Sequence, residues 1–451
     1  MVRLQSAKDL DPLGGNTAPG MPVLDRKSVQ PMRIAMFYHA VIKKSAIGAL
    51  HLRLLEATYR EHDFTVFSIL FENPCPERIR WVRVPIPKRP AALTFLAFHL
   101  VAPLCYWWHR FRRGVRFDVV QFVSSDLSFG DISSAHFCNR AYLQRHWKES
   151  QSEGVRRLSH WALYRLGALT EPLAYRRARL ITACSLGLKR EIEEEYPFAH
   201  GKIRICHNGV NVRRMQRPAD FNREQFRSKL GLTQEDIVLS FTALGAFERK
   251  GLPLLLEGLS RVDEPRLKLV VVGGLADMVS RYRRRATNLG LGGRVILVGS
   301  RDDVRPYLWA TDAFAFPSHY EAFPLAVLEA AAARLPLIVT DLNGVDEFLR
   351  DGMNGILIAG GSAGDVQQAL TRFLKMSAQE RRGMGTRARD AASYYSMERF
   401  VSSWRDLYED FRTSRTVSGN PRRDLSIPRV VCNQKEQASS TWHPLQHKRE
   451  R

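Results

Sequence analysis

Short apolar runs recur along the chain, and helical patterns fill the intervals between them. RIAMFYHAV at 33–41 reads as a buried strand, and IGALHLRLLEATYREH behind it as a helix. FTVFSIL, WVRVPI and FDVVQFV are further strand-like runs, and ARLITACS at 178–185 is another, followed by the charged helical stretch LKREIEEEY. IRICHNGV reads as a strand closing on an Asn-Gly turn at Asn208 and Gly209. Strands alternating with helices in this way predict an α/β domain built on a parallel sheet.

A second series of the same kind begins at DIVLSFTALG, residues 236–245. It continues through the helix GLPLLLEGLSRV, the strand LKLVVVGG, the basic helix DMVSRYRRRATNLG and the strand RVILVGS. A helix around VRPYLWAT and the strand AFAFPS come next, and then an apolar helix for which Pro324 suits the first position. The strand PLIVT and the helix DVQQALTRFLKM close the series. The polar, basic stretch at 208–232 reads as a linker, and no internal repeat of fixed short period is present. The expected organisation is a leader at 1–30, an N-terminal domain at 31–208, a C-terminal domain at 209–412 and a basic tail at 413–451 of disordered composition. Two doubly wound, Rossmann-like domains then face each other, and ligands of such folds bind at the carboxyl ends of the strands.

One segment fits the alternation less simply. AALTFLAFHLVAPLCYWWHRFRR, residues 91–113, is apolar for most of its first turns and ends in aromatics and arginines. His99 and Pro103 interrupt it, and a spanning helix needs about 20 apolar residues. It can be a helix buried against the first sheet, a helix lying in a membrane interface, or a span. FDVVQFV behind it continues the domain pattern, which favours the first two.

A chain of 451 residues with 45% hydrophobic and 25% charged residues has the make-up of a soluble two-domain protein. Lys and Arg number 68 against 46 Asp and Glu, a formal charge of +22, which points to anionic partners: phosphate-bearing substrates, anionic lipid or nucleic acid. The arginine clusters FRRGVR, YRRAR and RYRRR can be solvated faces, and the Trp pair beside the first makes anionic lipid a candidate. No motif for RNA or DNA is present. Six cysteines without CxxC or metal-ligand spacing indicate neither disulfides nor zinc, and a cytoplasmic setting is expected.

Two stretches carry candidate chemistry. GAFERKGL at 245–252 sits between a strand and a helix, where Gly245, backbone N–H groups, the helix dipole, Arg249 and Lys250 can form an anion site. HYEAFPLAVLEA at 319–330 holds Glu321 ahead of a helix and Glu329 inside it among Ala, Val and Leu. An ionised carboxylate there is costly unless paired, and hydroxyl-rich ligands are suited to such acceptors. No DxD-type acidic pair at a strand end suggests a chelated metal.

FPSHYEAFPLAVLEAAAARLPLIVTDLNGVDEFLRDGMNG resembles the E-x7-E region of the retaining glycosyltransferases of family 4, which have the GT-B fold. GAFERKGL resembles that family's diphosphate loop, LVGSRDDVRPYLWATDAFAFPS its approach to the first glutamate, and IRICHNGVN its interdomain turn. The likeness is specific over 178–412 and general over 33–177.

The resemblance implies two Rossmann-like domains about a cleft, with a C-terminal helix returning toward the N-terminal domain. It implies that Arg249 and Lys250 bind the donor diphosphate, that Glu321 contacts the transferred sugar, and that Glu329 takes the ribose hydroxyls. Phe323, Leu325 and Ala326 would offer backbone N–H groups, while Pro324 has none to offer. His136 falls where many members place a histidine near the sugar. Gly245 stands where many have an arginine, leaving Arg249 as the substitute. Gly48 is the sole glycine where the family often has two, for a possible phosphate contact, and Asn208 and Gly209 mark the interdomain turn. The implied activity is sugar transfer, with retention and without cofactor or metal, from a nucleotide-sugar donor to a saccharide or lipid-linked acceptor in polysaccharide or glycolipid synthesis. The protein is expected in the cytoplasm, with an anionic membrane surface as a possible partner and nucleic acid not expected as one. Rival readings are a phosphorylase or nucleotide-sugar epimerase on the same fold, and a non-catalytic basic binding protein.

Overall fold

The central strands of the first sheet are short apolar runs that pair in parallel, so they are buried on both faces and read as nearly continuous hydrophobe. The computed structural model describes residues 31–87, 91–149 and 154–418. The leader and all but the first residues of the predicted tail lie outside these. In chain order the N-terminal strands are β1 (Arg33–Phe37), β2 (Ala40–Val41), β3 (Asp63–Ser68), β4 (Leu70–Phe71), β5 (Arg80–Arg83), β6 (Val119–Val123), β7 (Ile132–Ala135), β8 (Leu180–Ala183) and β9 (Ile203–Ile205). They form a seven-stranded parallel sheet ordered β5-β3-β1-β6-β7-β8-β9, with β2 and β4 paired separately. The C-terminal strands are β10 (Ile237–Thr242), β11 (Leu267–Val272), β12 (Val295–Gly299), β13 (Ala313–Phe316), β14 (Leu337–Thr340) and β15 (Gly355–Ile358), ordered β12-β11-β10-β13-β14-β15 and also all parallel.

Both sheets reverse direction beside their first strand, between β1 and β6 in one and between β10 and β13 in the other. Loops that leave two adjacent strands toward opposite faces open a crevice, which is where doubly wound folds bind ligands. The C-terminal reversal puts the loop after β10, with Arg249 and Lys250, beside the loop after β13, with Glu321.

The chain crosses between the sheets twice, and the two crossings pair. Val210 N–H donates to Tyr395 O at 2.9 Å, and Met397 N–H donates to Val210 O at 3.0 Å. Gly209 is needed there, because a Cβ would lie 2.8 Å from both Met397 Cα and Phe400 Cβ. After the second crossing the helix Met397–Ser418 returns to the first sheet. Its Phe400, Trp404, Tyr408 and Phe411 join Ile34, Met36 and Val66 in one core. Tyr408 Oη donates to Gln121 Oε1 at 2.6 Å from within it. The helix continues through 413–418, the stretch with which the tail was expected to begin.

Two strands were not anticipated. ISSA of β7 carries no hydrophobic run, yet Ser133 and Ser134 are buried, and Ser133 Oγ donates to Ser124 O at 2.7 Å. GILI of β15 is four residues long and follows a turn, too short to stand out. Pro324 sits one position earlier than expected, as the N-cap of Leu325–Ala332 with ψ 104°. The helix Ala91–Arg113 buries only Phe98, Ala102 and Tyr106, so the expectation of a helix buried against the sheet holds for one face alone.

Candidate active site

The loop after β10 turns on Ala246, which adopts φ +53°. It closes with Lys250 N–H to Ala246 O at 3.0 Å, Gly251 N–H to Glu248 O at 3.1 Å and Leu252 N–H to Phe247 O at 3.0 Å. The amides of 250–252 are thereby consumed inside the turn. The anion site predicted there rests on the side chains of Arg249 and Lys250 rather than on these N–H groups. Gly245 has open space where a Cβ would stand, so no close approach requires glycine at that position. Gly251 is different: at φ +77° it lies against Pro317, whose O would be 1.7 Å from a Cβ, and this contact seats the loop on the end of β13.

Glu321 lies between the two cations. Its Oε1 is 2.8 Å from Lys250 Nζ and 3.1 Å from Arg249 Nη1, and it accepts from Ser318 Oγ at 3.4 Å. Arg249 Nη1 also donates to Tyr320 O, while its Nε is buried without a partner. The guanidinium lies over the Phe137 ring, 5.7 Å from its centroid, and the Lys250 ammonium lies 5.1 Å from that of Phe316. Burial pushes the Glu321 carboxyl up, but Arg249 and Lys250 outweigh it and hold the group below the usual range. Burial acts more strongly than Glu321 on Lys250 and lowers its ammonium. The triad is a preformed, largely dry charge cluster with one net positive charge, in which low dielectric strengthens every interaction.

Glu329 stands apart from it. No hydrogen bond or ion pair to the Glu329 carboxyl is present among the described residues, and burial alone pushes it up to about 7. The carboxylate that looked misplaced among Ala and Leu thus has no protein partner among the described residues. Ahead of it, the first helix amide taken up is that of Val327, donating to Pro324 O at 3.1 Å. Among the described residues the N–H groups of Phe323, Leu325 and Ala326 have no protein acceptor. Three N–H groups at a helix start can receive an anion.

The N-terminal wall is built from the end of β7. His136 Nε2 lies 3.1 Å from Ser134 Oγ, Nδ1 has no partner, and burial followed by the neighbouring His51 pushes the imidazole down to about 3, so it is neutral. Phe137, next along, meets the Tyr320 ring edge-on at 4.8 Å, whereas His136 meets the His51 ring at 5.8 Å within its own domain, and no hydrogen bond or ring contact joins it to the triad among the described residues. Asn208 Nδ2 donates to Phe323 O at 3.4 Å, joining the interdomain turn to the start of the Glu329 helix. Gly48 lies in the first turn of the helix Ala46–Thr58. Its N–H donates to Ser45 Oγ at 3.2 Å, so a phosphate contact through that amide would require the helix cap to open.

A latch across the cleft is carried by residues that sequence reasoning missed. Tyr320 Oη donates to Glu191 Oε2 at 2.6 Å, Asn343 Nδ2 donates to Glu191 Oε1 at 2.7 Å, and Cys138 N–H donates to Tyr320 Oη at 3.3 Å. Glu191 looked like one charge among many in LKREIEEEY, yet it is buried and faces the other domain. Removing the hydroxyl in Tyr320→Phe leaves a buried carboxylate oxygen unsatisfied. It is expected to cost about 1–3 kcal/mol of stability, read as a lower melting temperature, with a raised donor KM as the domains loosen.

Comparison with known proteins bears directly on this site. Residues 222–391, which include both charged loops, match the family described as Glycosyl transferases group 1, and residues 51–214 match Glycosyltransferase Family 4. The chain belongs to glycosyltransferase family 4. An uncharacterised glycosyltransferase of Methanocaldococcus jannaschii is 25% identical over 325 residues, covering 69% of this chain and 80% of that one. The lipopolysaccharide core biosynthesis glycosyltransferase LpsE of Rhizobium meliloti is 32% identical over 190 residues, 42% of this chain and 49% of its own length. The chain therefore spans about half of the second relative. The solved structure of Anabaena HepE in complex with UDP-glucose superposes with a TM-score of 0.63 at 17% identity, covering 84% of this chain and 99% of that one. At that identity the likeness shows the fold, GT-B, and the family makes this chain a nucleotide-sugar glycosyltransferase.

Proposed function

We propose that this family 4 enzyme transfers a sugar, with retention, from a uridine-type nucleotide sugar to a saccharide or lipid-linked acceptor at the cleft edge of the Arg249–Lys250–Glu321 cluster. The observation that carries the reading is the position of Glu321, held by two buried cations at the reversal point of the C-terminal sheet. An incoming diphosphate carries the same sign of charge that Glu321 presents to the two cations. It takes over Arg249 and Lys250 and frees the carboxylate for the sugar. When the bond from the anomeric carbon to the phosphate oxygen breaks, its electron pair goes to the leaving diphosphate, where the two cations stabilise it. The acceptor oxygen bonds to that carbon from the same face, and its proton passes to the departing phosphate. Free amides at Phe323, Leu325 and Ala326 and the neutral His136 line the remaining approaches. HepE, solved with UDP-glucose, makes uridine the first base to test. LpsE, named for lipopolysaccharide core biosynthesis, supports an envelope saccharide as acceptor class.

Proton NMR of the product tests this directly. A new glycosidic anomeric signal with the donor's configuration, formed only when acceptor is present, supports it. An inverted product, a free sugar phosphate or an epimerised nucleotide sugar would refute it in favour of another reaction on this fold.

Glu329 adds a pH signature. In the empty site it is mostly protonated below about 7. Its contribution to stability is full at low pH, below the carboxyl's ordinary value, and is lost as pH rises through about 7. Ribose hydroxyls donating to it favour the ionised form. Donor binding should therefore tighten about tenfold from pH 6 to pH 8, measured with a nucleotide sugar whose diphosphate does not titrate there. Glu329→Gln should flatten the profile, and an unchanged slope in that variant would contradict the ribose role.

A further inference from the structure

The helices Ala91–Arg113 and Gly154–Arg177 pack side by side on the N-terminal domain, and each turns an apolar face outward. On the first, Leu93, Leu96, Leu100 and Leu104 recur at three- and four-residue spacing, with Leu104 67% exposed. Trp107, Trp108 and Phe111 extend the stripe, and Phe111 is 84% exposed. On the second, Leu158, Trp161, Leu169 and Leu173 are all exposed. Scattered single leucines on a surface need no explanation, but two adjoining stripes make a patch that a monomer in water does not leave open.

We infer that this helix pair is a membrane-docking face that lies flat in the interface of an anionic bilayer. Charge selects the occupant. Arg110 lies over the Trp107 ring at 5.2 Å and Arg112 over Trp108 at 5.5 Å, and Arg113, Arg176 and Arg177 stand at the ends of the same helices. The one carboxylate of the two helices, Glu171, is fully buried and accepts from Asn139 N–H at 2.7 Å and Tyr196 Oη at 2.7 Å. An apolar stripe whose exposed charges on the two helices are all positive suits acyl chains beneath acidic headgroups, with tryptophans at the boundary. A second copy of this chain would set arginine against arginine.

The packing also argues against a span. The helix Ala91–Arg113 has length and hydropathy enough to cross, but its inner face is part of the domain. Tyr106 packs on Phe37 at 5.8 Å and on Phe117 at 5.6 Å, and Phe98 and Ala102 are buried with them. Crossing would strip those contacts from the first sheet. Docking uses only the outer face and leaves the fold untouched. The second helix also reaches the cleft, since its Tyr164 stacks on Phe137 at 5.4 Å, the ring beneath Arg249. Docking would thereby hold the cleft close to the bilayer surface.

This inference goes beyond the donor chemistry, and its test reads binding rather than turnover. Purified full-length protein is sedimented with phosphatidylcholine vesicles, with and without phosphatidylglycerol. Wild type is expected to pellet with the anionic vesicles, and the double variant Leu100→Glu/Leu104→Glu to lose at least about tenfold in partitioning. Arg112→Glu/Arg113→Glu should weaken binding about fivefold or more per residue and reduce its salt dependence. Circular dichroism and an unchanged melting temperature show that the variants are folded. Wild type left in the supernatant, or equal binding by the leucine variant, would overturn the proposal. So would a wild-type dimer in sedimentation velocity that the leucine variant abolishes, because a second copy would then cover the face.

Discussion

Lys250→Ala is expected to lower kcat of sugar transfer about a thousandfold, with the fold intact. Lys250 Nζ is 2.8 Å from Glu321 Oε1 and stands on a loop whose backbone bonds do not depend on its side chain. Its loss leaves Arg249 to pair with Glu321, so no buried carboxylate is orphaned and the stability cost is small. On the proposed reading, what disappears is one of two cations facing the leaving diphosphate, where charge develops as its bond to the sugar breaks. A group that stabilises the transition state more than the bound donor lowers kcat rather than raising KM alone. Steady-state kinetics with a saturating nucleotide sugar check this, and a change confined to KM would limit Lys250 to donor capture.

Glu321→Gln is expected to reduce kcat/KM by about a hundredfold or more, and this loss comes with a destabilised protein. The amide keeps the shape but not the charge that holds Arg249 at 3.1 Å and Lys250 at 2.8 Å. Two neighbouring buried cations then face each other without a counter-ion, which costs about 3 kcal/mol. A saturating donor should restore much of that stability, because its diphosphate replaces the missing negative charge. Thermal melts of the variant with and without nucleotide diphosphate measure this rescue. A variant as stable as wild type when empty would mean that the carboxylate is not the counter-ion of the pair.

The sign of this coupling also explains how Glu321 and Glu329 differ. Both are carboxylates in dry surroundings, yet one is held below its usual range by Arg249 and Lys250 and the other is pushed up to about 7 by burial without a partner. Environment thus gives two similar side chains different states in the empty enzyme. Glu321 is charged and paired, whereas Glu329, with no partner for its carboxyl among the described residues, is mostly protonated only below about 7.

Much of the sheet framework was legible because parallel strands buried on both faces advertise themselves as apolar runs. FDVVQFV and LKLVVVGG are of that kind, and both form strands at the expected places, Val119–Val123 and Leu267–Val272. ISSA failed to register because its buried serines are satisfied by hydrogen bonds, Ser133 Oγ to Ser124 O and Ser134 Oγ with His136 Nε2, rather than by apolar packing. The charged triad was readable in outline, since GAFERKGL and HYEAFPLAVLEA each follow a strand. Their mutual contact was not, because only the pairing of β10 with β13 brings residue 249 beside residue 321. The Glu191–Tyr320–Asn343 latch left no sequence signal at all, as its partners are more than a hundred residues apart. The outward stripe of the helix Ala91–Arg113 was present in the spacing of its leucines, but only the packed structure shows which face the domain leaves open.

The most direct measurement is nucleoside diphosphate release from a panel of UDP-, GDP- and ADP-sugars, run in parallel on wild type and Lys250→Ala. The account predicts release by wild type from one nucleotide class and a loss of about a thousandfold in the variant. Equal release by the two proteins would contradict it.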